Sequence, residues 1–175
     1  AAKNGIEKVI NLINGKIRSE NKYNQIINNI LNNYKFMELN NNINFHLNTD
    51  NDLNNHWLAG FTDADGCFQI KFINRSLSPH AHSAWGNSSN KKWEVRLNFQ
   101  IDQKKEALLI LIKNYLGGNI YYRKNQDTYY YGSTSFGSAK KVINYFDKFH
   151  LLSSKQINYL KWRKAYLIIQ DKNRR

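Results

Sequence analysis

The chain has 175 residues, which suffices for one well-packed domain with a smaller appendage. Its 26 lysines and arginines outnumber its 13 aspartates and glutamates, so the formal net charge is +13. This charge favours a polyanionic partner, although a basic soluble protein or a membrane-surface binder has the same charge. No stretch approaches the roughly 18 apolar residues of a transmembrane helix. The single Cys67 excludes an intramolecular disulfide, and no cluster of cysteine and histidine has the spacing of a zinc site.

The first part of the chain predicts two short helices. Apolar residues recur there at three-and-four spacing, first over Ile6–Ile13 and then over Tyr23–Ile30, and Asn14-Gly15 forms a break between them. Asparagine and aspartate then dominate without a clear period, which predicts a linker laid over a surface. We therefore expect a helical segment over residues 1–35, a linker over 36–53 and a domain over 54–175.

From residue 54 onward, segments with a helical period alternate with segments of strand period. The pattern predicts helices at His56–Ala64, Gln103–Leu116, Ser138–Phe149 and Ser154–Gln170, and strands at Cys67–Arg75, Trp93–Asp102, Asn119–Lys124 and Thr128–Phe136. Gly117-Gly118 marks the end of the second helix. The predicted fold class is α+β, of order αββαββα, with a four-stranded antiparallel sheet that carries its helices on one face.

The first two strands separate apolar from polar side chains by alternation. One face is predicted to be apolar core, with Phe68, Ile70, Phe72, Val95, Leu97, Phe99 and Ile101. The other face displays Gln69, Lys71, Glu94, Arg96, Asn98 and Gln100. Side chains of these types pair with base edges and phosphates, and a two-stranded ribbon fits a DNA major groove. An ordinary solvated sheet face has the same composition, so the strands alone leave both interpretations open.

The candidate metal-binding residues lie in the segment Leu58-Ala59-Gly60-Phe61-Thr62-Asp63-Ala64-Asp65-Gly66. Ala59, Gly60 and Ala64 put almost no side chain on one stripe of the helix, so a second copy of the helix could approach closely. Asp63 and Asp65 near the helix C-terminus are disfavoured by the macrodipole by some tenths of a kcal/mol each. A Mg²⁺ ion held by carboxylate, carbonyl and phosphate oxygens would compensate this charge. Two turn-forming aspartates before Gly66 are the simpler alternative.

These nine residues resemble the LAGLIDADG signature of homing endonucleases and maturases, with departures at Phe61 and Thr62. The resemblance implies that two such helices pack at a two-fold or pseudo-two-fold axis, and that Asp65, with the backbone of Ala64, binds the catalytic Mg²⁺. It assigns Asp63 a structural role. It also implies that Gln103 ends the second strand and helps to order water in the active site, although a plain helix start fits Gln103 as well.

The resemblance covers residues 54–171 and includes one departure. The family places a lysine near the end of the fourth strand, whereas here Tyr131–Ser138 contains none and the next lysine is Lys140. In the similar closing segment, Lys155 is expected to meet backbone phosphate. The predicted nucleic-acid contacts are Gln69, Lys71, Arg75, Glu94, Arg96, Asn98, Gln100, Tyr121, Arg123 and Lys155.

Two functions follow from the resemblance. The first is an intron-encoded, site-specific endonuclease that makes a Mg²⁺-dependent break in double-stranded DNA, with Asp65 and Gln103 as catalytic residues. The alternative is a group I intron maturase that binds RNA without cleavage, which the missing lysine and the tyrosines at 121–131 favour, if those rings are not core. The first segment resembles the tail of a preceding domain, so the expected protein partner is a second LAGLIDADG domain, either an N-terminal half or a homodimer mate. Abundant Asn, Ile, Lys and Tyr are typical of A/T-rich mitochondrial genomes, which predicts a mitochondrial protein made in the organelle.

Overall fold

The computed structural model of the protein describes residues 2–33, 35, 43–74 and 93–172. The chain divides into two compact units, Ala1–Asp52 and Leu53–Arg175. In the part of the chain that is described, no helix combines the length and apolar character needed to cross a membrane. The expected nucleic-acid contact Arg75 lies outside the described residues.

The N-terminal unit contains the two predicted helices, and a π-helical turn extends the second. The elements are α1 (Ala2–Ile13), α2 (Glu20–Ile26) and the π-helical turn (Ile27–Leu31). Gly15 follows α1 with a φ of +68°, a left-handed conformation that glycine adopts without a Cβ clash. Ile10 and Leu31 are buried together with Ile43 and Phe45. The later part of the predicted linker therefore covers the apolar faces of these helices.

The C-terminal unit has the predicted order αββαββ and is closed by two helices. Its elements are α3 (Trp57–Asp65), β1 (Gly66–Asn74), β2 (Trp93–Gln103), α4 (Ala107–Leu116), β3 (Asn119–Arg123), β4 (Thr128–Ser133), α5 (Phe136–Lys148) and α6 (Lys155–Lys172). The four strands form one sheet of order β1-β2-β4-β3, in which every neighbouring pair is antiparallel. The predicted α+β fold class is confirmed.

The strand register separates an inner face, packed on helices, from an outer face. Phe68 lies opposite Phe99, and Gln69 lies opposite Asn98. Since directly opposed residues project to the same face, the phenylalanines share one face and the amides share the other. Phe99 is fully buried, and the ring of Phe68 contacts Trp162 of α6 with 5.7 Å between centroids. The predicted alternation of the two strands is confirmed.

The ribbon of β1 and β2 departs from prediction at its far end. β2 pairs with β4 only from Phe99 to Gln103, so the other half of the ribbon extends beyond the four-stranded part of the sheet. Its apolar residues are exposed: Ile70, Phe72, Trp93 and Val95. The prediction of apolar core is therefore wrong for Ile70, Phe72 and Val95, which the described helices do not bury.

Two predicted helix starts also shift. Gln103 is the last residue of β2, opposite Tyr129 of β4, so ladder pairing continues through it and α4 begins only at Ala107. The helix α5 begins earlier than predicted because Ser135 caps it, with the Ser135 hydroxyl accepting the Ser138 N–H at 3.2 Å. The predicted stop after α4 is confirmed by Gly117 and Gly118, whose φ angles are +76° and +88°.

Candidate active site and nucleic-acid interface

The first turn of helix α3 is held by a tyrosine of α5. Leu58 is fully buried. The hydroxyl of Tyr145 accepts the N–H of Ala59 at 3.0 Å and donates to the carbonyl of Asn55 at 2.6 Å. Burial raises the pKa of Tyr145, so the phenol stays neutral and can make both bonds. This anchor fixes α3 and so places its last residue, Asp65, at the end of the sheet.

Asp65 and Gln103 meet there, although 38 positions separate them in sequence. The amide Nε2 of Gln103 donates to Oδ2 of Asp65 at 2.7 Å. Within the described ranges, Gln103 is the only side chain that bonds this exposed carboxylate, which leaves Oδ1 available to a ligand. The two residues expected to be catalytic thus lie in one contact, and Gln103 orients the carboxylate.

Lys155, the first residue of α6, reaches the same end of the motif helix. Its ammonium donates to the carbonyl of Ala64 at 2.9 Å and to that of Thr62 at 3.2 Å. A cation is favourable at this position because the carbonyls of a helix C-terminus carry partial negative charge. Lys155 therefore supplies part of the positive charge that the sequence led us to expect from a metal ion. The separation of 91 residues from Ala64 hid this proximity from sequence reasoning.

Asp63 has a different environment from Asp65. Its carboxylate accepts the N–H of Leu152 at 2.8 Å, and the N–H and hydroxyl of Ser153 at 3.2 and 2.5 Å. Partial burial raises the pKa of Asp63, but the bonds from Ser153 and Leu152 and the nearby charge of Lys155 outweigh it, so the pKa lies below its ordinary value. Asp63 thereby fixes the segment that leads into α6 and positions Lys155.

The exposed face of α3 is narrower than predicted. Gly60 and Ala64 are exposed, one turn apart, and a Cβ added at Gly60 would meet none of the described atoms outside its own helix backbone within 4 Å. Ala59 is only 3% exposed and belongs to the core of its own unit. It therefore does not lie on the exposed stripe where the sequence predicted a helix interface. Successive helical positions are rotated by about 100°, which turns Ala59 inward. The half-buried Trp57 and Phe61 flank the Gly60 stripe instead.

The oxygen atoms at the end of α3 suit a hard divalent cation. The Asp65 carboxylate and the Ala64 carbonyl are the ligand types that magnesium and calcium prefer, and a carbonyl that accepts one bond retains a second lone pair. Among the described residues, no three histidines, cysteines, aspartates or glutamates cluster as a metal site. The described residues therefore offer two oxygen ligands of the type that such a cation prefers, which is only part of a coordination shell.

The outer face of the sheet carries a continuous row of polar contacts. Nδ2 of Asn98 donates to Oε1 of Gln69 at 3.0 Å and to Oε1 of Gln100 at 3.2 Å. Nε2 of Gln100 donates to Oδ1 of Asp102 at 3.0 Å, and Nη1 of Arg123 donates to Oδ2 of Asp102 at 2.9 Å. Asp102 was missed as a site residue, although its spacing of two from Gln100 places it on this face.

Aromatic rings extend the same row onto β3 and β4. The Arg123 guanidinium lies over the ring of Tyr130 at 4.2 Å, and Tyr121 stacks on Tyr130 with 5.0 Å between centroids. Tyr131 projects to the opposite face and is fully buried. Alternation therefore places Tyr121, Tyr130 and Arg123 on the outer face with the predicted polar residues, and Tyr131 in the core.

The far part of the outer face is cationic. Lys71 and Arg96 lie opposite each other on β1 and β2. Arg96 is paired with Glu94 at 2.9 Å, while Lys71 is exposed and forms no ion pair within the described residues. Lys155, in contrast, lies at the end of α3 rather than on this face. The structure thus divides the predicted nucleic-acid contacts between the outer sheet face and the end of the motif helix.

Residues 58–166 match the family described as LAGLIDADG endonuclease. The chain belongs to this family. The match includes all of α3 except Trp57, the sheet and most of α6, and so contains the Asp65–Gln103 contact and Lys155.

Similar proteins include products of introns. An uncharacterized 37.2 kDa protein of cox1 intron 2 from Schizosaccharomyces pombe is 66% identical, over 95% of this chain and 47% of that protein. The intron-encoded DNA endonuclease aI3 of Saccharomyces cerevisiae is 28% identical, over 95% of this chain and 46% of that protein. The LAGLIDADG chain therefore spans about half the length of these curated relatives.

A solved structure is similar at comparable identity. The I-SmaMI LAGLIDADG homing endonuclease bound to cleaved DNA is 30% identical and gives a TM-score of 0.57, over 75% of this chain and 40% of that one. The same endonuclease has been solved on an uncleaved DNA target in the presence of calcium ions.

Proposed function

We propose that the protein is an intron-encoded, site-specific endonuclease and that its motif helix provides one half of an active site for double-strand DNA cleavage. The observation that carries this proposal is the contact between Asp65 and Gln103, with Lys155 bound at the same helix end. A carboxylate with one oxygen oriented by an amide and the other available is suited to hold a cation beside a phosphate.

The residues at this site have separate tasks. Asp65 and the Ala64 carbonyl would hold Mg²⁺, which when bound supplies activation of water and stabilisation of the leaving oxygen. Gln103 keeps the Asp65 carboxylate oriented and has a remaining N–H that can donate to a water. Lys155 places a positive charge where the scissile phosphate would lie, in addition to its bonds to the helix carbonyls.

The other half of the active site would come from a second LAGLIDADG domain. The open stripe at Gly60 and Ala64 permits a second helix to approach closely, and the half-buried Trp57 and Phe61 would be covered by that contact. Each helix would then contribute one Asp65-type carboxylate near the axis. This partner is an N-terminal half of a longer protein or a second copy of the chain.

The DNA would lie on the outer face of the sheet. This face presents amides, Lys71, Arg96, Arg123 and stacked tyrosines, which are the groups that contact base edges and phosphates. The formal charge of +13 adds a long-range attraction to a polyanion. The DNA-bound endonuclease I-SmaMI has the same fold over 75% of this chain.

A group I intron maturase is the second candidate, because Tyr121 is 43% exposed and stacks on Tyr130 as a platform for an unpaired base. The likeness to proteins of cox1 introns supports either function and a mitochondrial site of synthesis. The two candidates make opposite demands on Asp65, since cleavage needs its charge whereas assisted splicing needs only binding.

Asp65→Asn in the full protein separates the two functions. We expect cleavage of the intronless insertion site with magnesium to fall by several orders of magnitude, while binding with calcium persists and splicing of the intron is unchanged. The control is Asp127→Asn, which removes one charge at the β3–β4 turn, far along the chain from the motif. Undiminished cleavage in Asp65→Asn refutes the metal role, and a wild type that splices without cleaving favours the maturase.

A further inference from the structure

The outer sheet face contains an acid at its centre, although a face that binds a polyanion has no electrostatic need of one. Asp102 lies on β2 beside Gln100, opposite Tyr130 of β4, and its side chain is 46% exposed. Both of its carboxylate oxygens are engaged, Oδ1 by Gln100 and Oδ2 by Arg123. The carboxylate therefore joins the amide row of β2 to the cation of β3.

A carboxylate paired with a guanidinium is ionised and can only accept hydrogen bonds. It therefore fixes the orientation of the neighbouring side-chain amide. Gln100 must turn its NH₂ group toward Asp102, so its Oε1 points back along the strand toward Asn98. Asn98 must then present its own NH₂ to Gln100, and the same nitrogen also donates to Oε1 of Gln69. The charge of one acid thus decides the orientation of three amides across two strands.

The central amide of this row has little freedom to reverse. Asn98 is only 5% exposed, and a flipped Asn98 would place its oxygen against the oxygens of both Gln69 and Gln100. An ordinary exposed glutamine presents either its oxygen or its nitrogen to a base, and so does not discriminate donor from acceptor edges. With Asp102 ionised, the donor and acceptor positions of this row are set before any ligand binds.

Asp102 also restrains the cation. Arg123 is held from one side by the carboxylate at 2.9 Å and lies over the Tyr130 ring at 4.2 Å. These contacts use one N–H group and one face of the guanidinium, so its other N–H groups remain for a ligand. A fixed guanidinium matches the two acceptors of guanine, O6 and N7, in the major groove.

We propose that Asp102 is a specificity-determining positioning residue, which orders Arg123 and the amides of Gln100, Asn98 and Gln69. In this arrangement the protein would prefer duplex DNA in which purines present acceptor atoms to these donors in the major groove. The proposal rests on the DNA-binding function proposed above. Because its charge repels phosphates, Asp102 lowers the affinity for DNA of any sequence while it raises discrimination among sequences. Removing the charge should therefore change affinity and specificity in opposite directions.

The variant is Asp102→Asn, and Asp127→Asn is its matched control. Asp127 has a φ of +46°, which asparagine tolerates, and its carboxylate accepts from Tyr122 rather than from the amide row. Both substitutions are isosteric, and each removes one negative charge, from β2 in Asp102→Asn and from the β3–β4 turn in Asp127→Asn. Asparagine keeps a single acceptor oxygen, so Asp102→Asn can satisfy Gln100 or Arg123 but not both, and only this substitution takes an acceptor from the amide row.

The first measurement uses the free protein. In ¹H–¹⁵N spectra, the side-chain NH₂ signals of Gln100 and Asn98 should exchange slowly in the wild type and in Asp127→Asn, and several times faster in Asp102→Asn. Equal exchange in all three proteins overturns the ordering role, whatever the protein binds. Thermal unfolding of each variant reports whether the fold is intact, and Arg123→Gln, which leaves Asp102 ionised, should preserve the slow amide exchange.

The second measurement uses DNA in the presence of calcium. A preferred duplex is selected from a randomised library by the wild type, and binding is then compared on targets with single base-pair changes. Both variants should bind unrelated DNA more tightly by a similar factor, but only Asp102→Asn should lose discrimination, by about tenfold at each of two or more neighbouring base pairs.

The outcomes separate this inference from the proposed function. A selective wild type with equal discrimination in both variants overturns the positioning role alone. A loss confined to one base pair with a cytosine overturns it too, since Asp102 would then contact a base directly. A wild type that selects no sequence overturns both the endonuclease and this role of Asp102.

Discussion

Replacing Asp63 with asparagine should destabilise the C-terminal unit by about 2 kcal/mol. The carboxylate accepts three donors from Leu152 and Ser153. Hydrogen bonds to a charged group contribute roughly 1.5–3 kcal/mol each when a partner is removed, and less where water can replace it, as it can around this half-exposed group. Asparagine keeps one acceptor oxygen and turns an NH₂ toward the remaining donors, so about one such bond is lost outright. A total stability of about 5–15 kcal/mol makes this loss measurable.

The contribution of Asp63 to the free energy of unfolding should decrease as the pH falls. The folded-state pKa of Asp63 is lowered, so its contribution is fully present above the unfolded value of about 3.9 and is lost as pH falls through the folded value. Urea unfolding of the wild type and Asp63→Asn should therefore differ by a constant amount from pH 5 to 7, and the difference should shrink below about pH 4. Ser153→Ala, which removes only the hydroxyl donor, should lose about half as much. Equal stability at pH 6, or a difference that grows on acidification, would refute the role of Asp63.

Two further variants test the partner and the DNA interface. Gly60→Leu should leave the unit at least as stable, because no described atom outside the helix backbone lies within 4 Å of the added Cβ and helical glycine is disfavoured by about 1 kcal/mol. It should nevertheless abolish pairing with the second domain, measured by sedimentation, and abolish cleavage. Gly137→Leu, which is equally open on α5, is the control. Lys71→Ala should reduce the slope of the logarithm of the DNA association constant against the logarithm of the salt concentration by about 0.9. Lys164→Ala, at an exposed position of α6, should leave this slope unchanged. Unchanged pairing in the first variant, or an unchanged slope in the second, would contradict the proposed geometry.

The fold was predictable because its elements are specified by neighbouring residues. The alternation of Phe68 with Gln69 and of Phe99 with Asn98 decides which face of each strand is buried, independently of anything distant in the chain. Gly117 and Gly118 end α4 because their left-handed backbone angles favour glycine. Local signals of this kind locate strands and helices without knowledge of the assembled structure.

The composition of the site was predictable only where a motif supplied it. Asp65 and Gln103 were identified from family resemblance, but the contact of Lys155 with Ala64 depends on how α6 returns to the motif helix, which no local pattern encodes. The expectation for Ala59 failed for a related reason. Small size suits a residue equally to a helix interface and to a tight core position, and the hydroxyl of Tyr145 beside its N–H decides for the core.

Three aspartates in this domain show how surroundings assign different tasks to one side-chain type. Asp63 accepts three protein donors, so its charge is already satisfied and it has little capacity to hold a metal ion. Asp102 has both oxygens engaged, one by Arg123 and one by Gln100, so it offers no free oxygen to a cation. Asp65 receives one amide N–H from the described residues and retains an available oxygen at a helix end of negative potential, with Lys155 as the neighbouring cation. Of these three aspartates, Asp65 alone combines exposure with an oxygen that no described residue engages, so it is the carboxylate at which a divalent ion and a phosphate would be brought together.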